Sequence, residues 1–272
     1  MKKLNVYYAL VDNMGDKLNP YIMHRLFGFE IRRVTPLTCE LSGIGSGLGQ
    51  FTFSDKPWLA MGEWFAGRRF PETCIWGTGF IRSGHERPFY RSKMHFNAVR
   101  GELSKKKAEK LIGACINPML GDGGILAEKA FGIRPSVKYS LGVAAHYKEQ
   151  NHPIFKHILD ATPGALWIDM RGEPETVIRD IASCEAVISS SLHALIVADS
   201  FHIPNLHIHA SDAMLGDGFK FKDYYSAYSL GHIPYEYDGE HMITVSEIID
   251  NYCIPYNKIE MMKENMIKSF PF

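Results

Sequence analysis

The stretch from Cys184 to Asp199 sets Ser189, Ser190 and Ser191 between two apolar runs, Ala186–Ile188 and Leu192–Ala198, with His193 at the start of the second. The first run has the length and β-branching of a buried strand, and the second resumes at helical spacing. The three hydroxyls and the imidazole therefore fall on the turn at a strand's carboxyl end, where open α/β sheets bind ligands. Free N–H groups and the positive end of the dipole at a helix start suit a phosphate or a carboxylate there. The same residues also serve as ordinary helix caps, and a lone histidine can be a hydrogen-bonded structural residue.

Other candidates stand at comparable junctions. Asn13-Met14-Gly15-Asp16 follows the first apolar run; Asp16 can act as a base, although its type and position also suit an N-cap. Gly77, Thr78 and Gly79 end another strand and can offer N–H groups and one hydroxyl to an anion, or form a plain tight turn. Arg100 precedes a helix whose Lys105, Lys106 and Lys107 read as a solvated face, and its planar guanidinium is suited to gripping a carboxylate or phosphate at the cleft. Lys220 and Lys222 alternate with aromatics, so one can reach the cleft while the other stays at the surface. His207 and His209 alternate along a strand but have no third ligand at diagnostic spacing, which favours sheet-end histidines over a metal site. The glycines of Gly43–Gly49 alternate and do not match the dinucleotide fingerprint, so a nicotinamide cofactor is not expected.

These residues need a scaffold of alternating strands and helices. Strand-like runs recur at Leu4–Leu10, Ile31–Val34, Thr73–Trp76, Met94–Val99, Tyr139–Ala144, Ala165–Ile168, Ala186–Ile188 and Asn205–Ile208. Helical patterns cover Pro20–Phe27, Glu102–Ile112, Ile125–Phe131, Glu173–Ser183, Leu192–Phe201, Val245–Asn251 and Lys258–Lys268. The alternation predicts an α/β fold with parallel sheets, and the break at Gly132–Ser136 divides it into two Rossmann-like domains facing a cleft, 1–134 and 135–272. Thr38–Arg69 gives no clean period. Met-Leu-Gly-Asp-Gly occurs at Met119–Gly123 and again at Met214–Gly218, a match that local turn demand explains better than duplication.

Thirty basic against thirty acidic side chains leave no net field to recruit nucleic acid. Five scattered cysteines suggest neither a disulfide framework nor a zinc knuckle. With no export signal and no apolar run long enough to span a bilayer, a cytoplasmic protein is expected.

Taken in order, Asn-x-Gly-Asp, Trp-Gly-Thr-Gly-Phe, Val-Arg-Gly-Glu-Leu-Ser, Leu-Gly-Asp-Gly-Gly, Ser-Ser-Ser-Leu-His-Ala-Leu-Ile and Phe-Lys-x-Asp-Tyr resemble the polysaccharide pyruvyl transferase family of bacterial exopolysaccharide and capsule synthesis. The resemblance covers roughly positions 4 to 230. It implies a glycosyltransferase-B-like pair of domains, the amino-terminal one on the acceptor side and the carboxy-terminal one on the phosphoenolpyruvate side. It implies transfer of pyruvate from phosphoenolpyruvate to a sugar as a 4,6-type ketal, with no metal and no cofactor beyond that donor. Arg100, His193 and Asp16 match the family's donor-site arginine, its Leu-His histidine and its amino-terminal acid. His193 is then either the proton donor, because an imidazole titrates near neutrality, or a ligand of the phosphate, and Asp16 is the base. Asn13, Gly77, Thr78, Gly79, the Ser189–Leu192 turn, Lys220 and Lys222 become substrate-binding candidates.

Many members of the family it resembles have Arg-Leu-His where this chain has Ser191-Leu192-His193; Lys220, Lys222 or Arg171 could supply the absent charge. The chain is short for the family, implying trimmed acceptor-binding loops. A lipid-linked acceptor would bring contact with the inner face of the membrane. The carboxy-terminal stretch Tyr256–Phe272 offers an apolar face for that, or for packing back on the protein, which is the expected use. The same scaffold also fits a nucleotide-sugar glycosyltransferase or a non-catalytic sugar-binding subunit.

Overall fold

The computed structural model describes residues 2–211, 216–237 and 243–272. In chain order the elements of the first half are β1 (Lys2–Tyr7), α1 (Met14–Phe27), β2 (Phe29–Arg33), β3 (Leu41–Ser42), α2 (Pro57–Arg69), β4 (Glu72–Ile75), β5 (Lys93–Phe96), β6 (Ala98–Val99), α3 (Glu102–Ile112), β7 (Met119–Leu120) and α4 (Ala127–Phe131). They are followed by β8 (Tyr139–Ala144), α5 (Pro153–Ala161), β9 (Ala165–Trp167), α6 (Pro174–Ile181), β10 (Cys184–Ser189), α7 (Leu192–Ser200), β11 (Asn205–His209), α8 (Phe219–Ser226), β12 (Tyr235–Glu236), α9 (Val245–Asn251) and α10 (Tyr256–Lys268).

Two five-stranded parallel sheets result, ordered β2-β1-β3-β4-β5 and β12-β11-β10-β8-β9, beside a short β6-β7 ladder. The α/β reading with parallel sheets therefore holds. Parallel strands buried on both faces explain the near-continuous apolar runs of β8 and β10. Helix α7 is buried on every side, and one apolar core joins it to Val6, Leu18 and Trp76 of the first half and to Met266 of α10. Helix α10 returns to the first sheet: Trp76 Nε1 donates to Met266 O at 3.0 Å, and the Phe270 ring stacks on Phe27 with centroids 3.8 Å apart. Among the described residues no helix is long and apolar enough to cross a membrane.

Several elements depart from the expected spans. Helix α1 starts at Met14, six positions before Pro20, so the proline is inside it. Proline cannot donate to the carbonyl of Asp16, and Asn19 Nδ2 takes that acceptor instead at 3.1 Å. The run Met94–Val99 divides at Asn97, with β5 pairing to β4 and β6 to β7. Within Thr38–Arg69 the chain forms β3, a 3₁₀ turn at Leu48–Phe51 and α2.

Of the repeated pentapeptide, Met214 and Leu215 lie outside the described residues. The aspartates of both copies accept from the N–H two residues on, Asp122 from Gly124 and Asp217 from Phe219, which is local turn chemistry.

Candidate functional site

The carboxyl ends of β1, β3, β8 and β10 open onto one cleft of about 220 Å³, which draws its walls from both sheets. Its polar lining includes Asn13, Asp16, His146, Ser191, His193 and Lys220, with Lys148 at an exposed margin. Gly15 is why the first helix can approach β10's turn so closely: a Cβ there would collide with the His193 ring. Asn13, not Asp16, is the N-cap of α1, so Asp16 is released from capping and stands in the first turn, facing the cleft.

The electrostatics differ from those of exposed groups. Burial raises the Asp16 carboxyl to about 7, a rise moderated by its hydrogen bond from Asn13 Nδ2 at 3.3 Å and by the positive charge of Lys220. Asp122, fully buried behind the cleft, is also raised to about 7 by burial. Its Oδ1 accepts from Gly124 N at 2.9 Å, while Oδ2 has no hydrogen-bond partner among the described residues and lies 3.9 Å from His193 Nε2. Burial, with Lys220 and Arg100 nearby, lowers His193 to about 3. Burial and Arg100 lower Lys220 to about 8. Near neutrality, then, the carboxyls are poised to hold protons, the imidazole is neutral and Lys220 keeps most of its charge. This corrects the expectation that His193 titrates near working pH: a desolvated imidazole among cations gives up its proton.

Arg100 also requires correction. Its side chain is wholly buried beneath the cleft floor, with Nε donating to Asp223 Oδ2 at 2.9 Å and Nη1 to Ser46 Oγ at 2.7 Å and Gly45 O at 3.3 Å. Nη2 donates to Phe80 O, so the guanidinium is engaged by the protein and is not presented to a ligand. Asp223 completes this knot by accepting from Ser104 N and Oγ.

The Gly77-Thr78-Gly79 loop is likewise part of the frame. Gly77 N donates to Ala98 O and Gly79 N to Gly45 O, while Thr78 Oγ1 accepts from Gly47 N and donates to Gly45 O. Gly79 is glycine because a side chain would strike Arg100 and Asp223. The loop thus offers neither its hydroxyl nor these two N–H groups to an anion.

In the β10–α7 turn the hydroxyls divide by role. Ser189 Oγ donates to Ala144 O and Ser190 Oγ accepts from His146 N, so both tie β10 to β8 and stay out of the cleft. Ser191 and Leu192 do line it, and Ser191, the N-cap of α7, makes no side-chain capping bond. Lys222 is exposed and lines a second cavity, of about 340 Å³, with His207, His209 and His232, and Lys220 borders both cavities. Arg171 pairs with Asp169 at 2.7 Å and does not line the cleft. His207 stacks on Phe221 and bonds His232, and His209 pairs with Glu236; among the described residues no cluster of three metal-ligating side chains occurs.

Sequence reasoning missed Asp122, His146 and Lys148. Asp122 was present in the Leu-Gly-Asp-Gly-Gly motif but read as turn chemistry, and His146 and Lys148 follow a strand with no motif to mark them.

A family model described as polysaccharide pyruvyl transferase matches residues 42–209, well over half of the chain. The chain belongs to the polysaccharide pyruvyl transferase family. The matched span of this family contains Arg100, Asp122 and His193, whereas Asp16 and Lys220 lie on either side of it. Among relatives, the succinoglycan biosynthesis protein ExoV of Rhizobium meliloti is 29% identical over 219 residues, covering 78% of this chain and 60% of that protein. An uncharacterized protein, L143, of Acanthamoeba polyphaga mimivirus is 25% identical over 240 residues, 86% of this chain and 78% of its own length.

Proposed function

We propose that the chain transfers pyruvate from phosphoenolpyruvate to two hydroxyls of a sugar in a surface polysaccharide or its lipid-linked precursor, forming a ketal and releasing phosphate. The observation that carries this reading is the convergence of Asp16, His193 and Lys220 in one cleft between two parallel sheets, in a chain of this family.

The reaction begins with proton delivery to the donor's methylene carbon, which leaves the adjacent carbon oxocarbenium-like. One sugar hydroxyl adds there and loses its proton. A second hydroxyl then forms the other C–O bond as the C–O bond to phosphate breaks, and its proton leaves with the departing phosphate. Asp16, raised to about 7, is suited to deliver a proton near neutrality, and His193, uncharged at that pH, stands in the same cleft where an attacking hydroxyl must lose its proton, its basicity restored only when a bound anion raises it. This assignment reverses the roles expected from the residue types alone. An arriving anion would raise both groups, so a proton can pass between them during turnover. Lys220 and Lys148 supply positive charge for the donor's carboxylate and phosphate, and Ser191 with the start of α7 adds hydrogen bonds. Asp122 acts behind His193 as a positioning residue.

We further infer that the chain divides near residue 134 into two Rossmann-like domains of a glycosyltransferase-B-like pair, with the donor held on the carboxy-terminal side.

Thermal unfolding with millimolar phosphoenolpyruvate tests the reading, since a ligand of the native state raises the midpoint. A rise that disappears in Lys220→Met, with acceptor-dependent release of phosphate, supports it. A rise with nucleoside diphosphates and none with phosphoenolpyruvate overturns it in favour of glycosyl transfer.

A further inference from the structure

Helix α2 has its polarity reversed relative to a surface helix in water. Ala60, Glu63, Ala66 and Gly67 face the protein: Gly67 is buried where any side chain would collide with Tyr90 O, and Glu63 accepts from Ser54 N at 2.7 Å. The outward face carries Trp58, Leu59, Met61, Trp64 and Phe65, between 42% and 67% exposed, and Phe70 continues it. A surface helix ordinarily buries such a stripe, and soluble proteins seldom leave a contiguous patch of this kind to water.

The charges on this face are all of one sign. Lys56, Arg68 and Arg69 are exposed, the Arg68 guanidinium lies 3.8 Å from the Trp64 ring centroid, and Lys56 lies 5.9 Å from that of Trp58. Glu63 is the helix's one acid and is turned inward, while Asp55, just ahead of it, pairs with Arg87 at 3.7 Å. Aromatic rings interleaved with cations are suited to the boundary between headgroups and acyl chains of an anionic bilayer. At thirteen residues, about 20 Å, the helix is too short to span one. A second copy of the chain is a poorer fit, because a two-fold interface on this face would bring the same cations together.

We propose that α2 is a docking element that lies in the interface of an anionic lipid bilayer, its aromatic face among the lipids and its cations at the headgroups. Gly47 and Gln50 line the cleft, and Gln50 stands seven positions before Pro57 at the start of α2. The inference stands independently of pyruvyl transfer, since its test uses neither donor nor acceptor.

The test is cosedimentation of the whole chain with vesicles of phosphatidylcholine, alone or mixed about two to one with phosphatidylglycerol. At roughly fivefold per cation, the mixed vesicles are expected to bind on the order of a hundredfold more tightly at low salt, with a blue shift of tryptophan emission. The variant Trp64→Ser/Phe65→Ser should keep the melting midpoint, because both side chains are exposed, and lose at least tenfold in vesicle binding. Failure of the intact chain to bind the mixed vesicles, or equal binding by the variant, overturns the proposal. So does a dimer in lipid-free buffer that the same variant dissociates, which would identify a second copy as the occupant.

Discussion

Replacing Asp122 with asparagine should stabilise the protein increasingly as pH rises. Asp122 is wholly buried, one carboxylate oxygen lacks a partner, and burial raises it from 3.8 to about 7. Between those values the native state holds a proton that the unfolded chain has released, so stability falls with rising pH by about 1.4 kcal/mol per unit until pH 7 is passed. The gap corresponds to at most ~4 kcal/mol. Relaxation around a buried charge reduces such penalties, and about 2 kcal/mol is the expected gain at pH 8. Asparagine keeps the oxygen that accepts from Gly124 N and carries no charge at any pH. The assay is urea unfolding of both proteins between pH 5 and 8.5, reading the difference in free energy against pH. His193, lowered to about 3, contributes an opposite slope below its ordinary value of 6.5, but it is present in both chains and largely cancels in the difference. Parallel stability curves across this range would refute the reasoning, because they would mean that Asp122 ionises in the native protein as it does in water.

Three further outcomes are expected. Arg100→Ala should lower the melting midpoint in ligand-free buffer, by roughly 3–5 kcal/mol of stability, because it leaves Asp223 charged and unpaired in the interior; an unchanged midpoint would return Arg100 to the role of a ligand-binding group. Gly15→Ala should cost about 1–3 kcal/mol through collision with the His193 ring, and His193→Ala should relieve most of that cost in the double variant; additive losses in calorimetry would contradict the packing. Lys220→Met should raise the His193 pKa, because Lys220 disfavours the imidazolium, and an imidazole titration by NMR that does not move would count against the electrostatic coupling.

The legible parts of the fold were those with a strong local signal. The runs at Tyr139–Ala144 and Ala186–Ile188 read as strands because parallel strands covered on both faces are apolar throughout, and α3 has the span Glu102–Ile112 that its pattern predicts. Helix α2 was illegible because its large apolar residues point outward and its inward face is made of small residues and one acid, the inverse of the pattern a sequence reader seeks. The start of α1 was hidden by Pro20, which is tolerated because the side chain of Asn19 takes the acceptor that the proline leaves. The site divided in the same way. The positions of Asp16, Ser191 and His193 at strand-to-helix junctions were readable from sequence, and Lys220 stood out only by alternating with aromatics, but that Arg100 is spent on Asp223, 123 positions away, was not readable.

The sequence by itself determined the parallel α/β class, the strand-to-helix turns on which chemistry is placed, and, through the order of its motifs, the family. Only the tertiary structure decided which of those residues face the cleft and in what protonation state, because burial and long-range pairing are properties of segments brought together from both sheets. Gly15 and His193, far apart in the chain, show the reason most simply: each is intelligible only in the space that the other leaves.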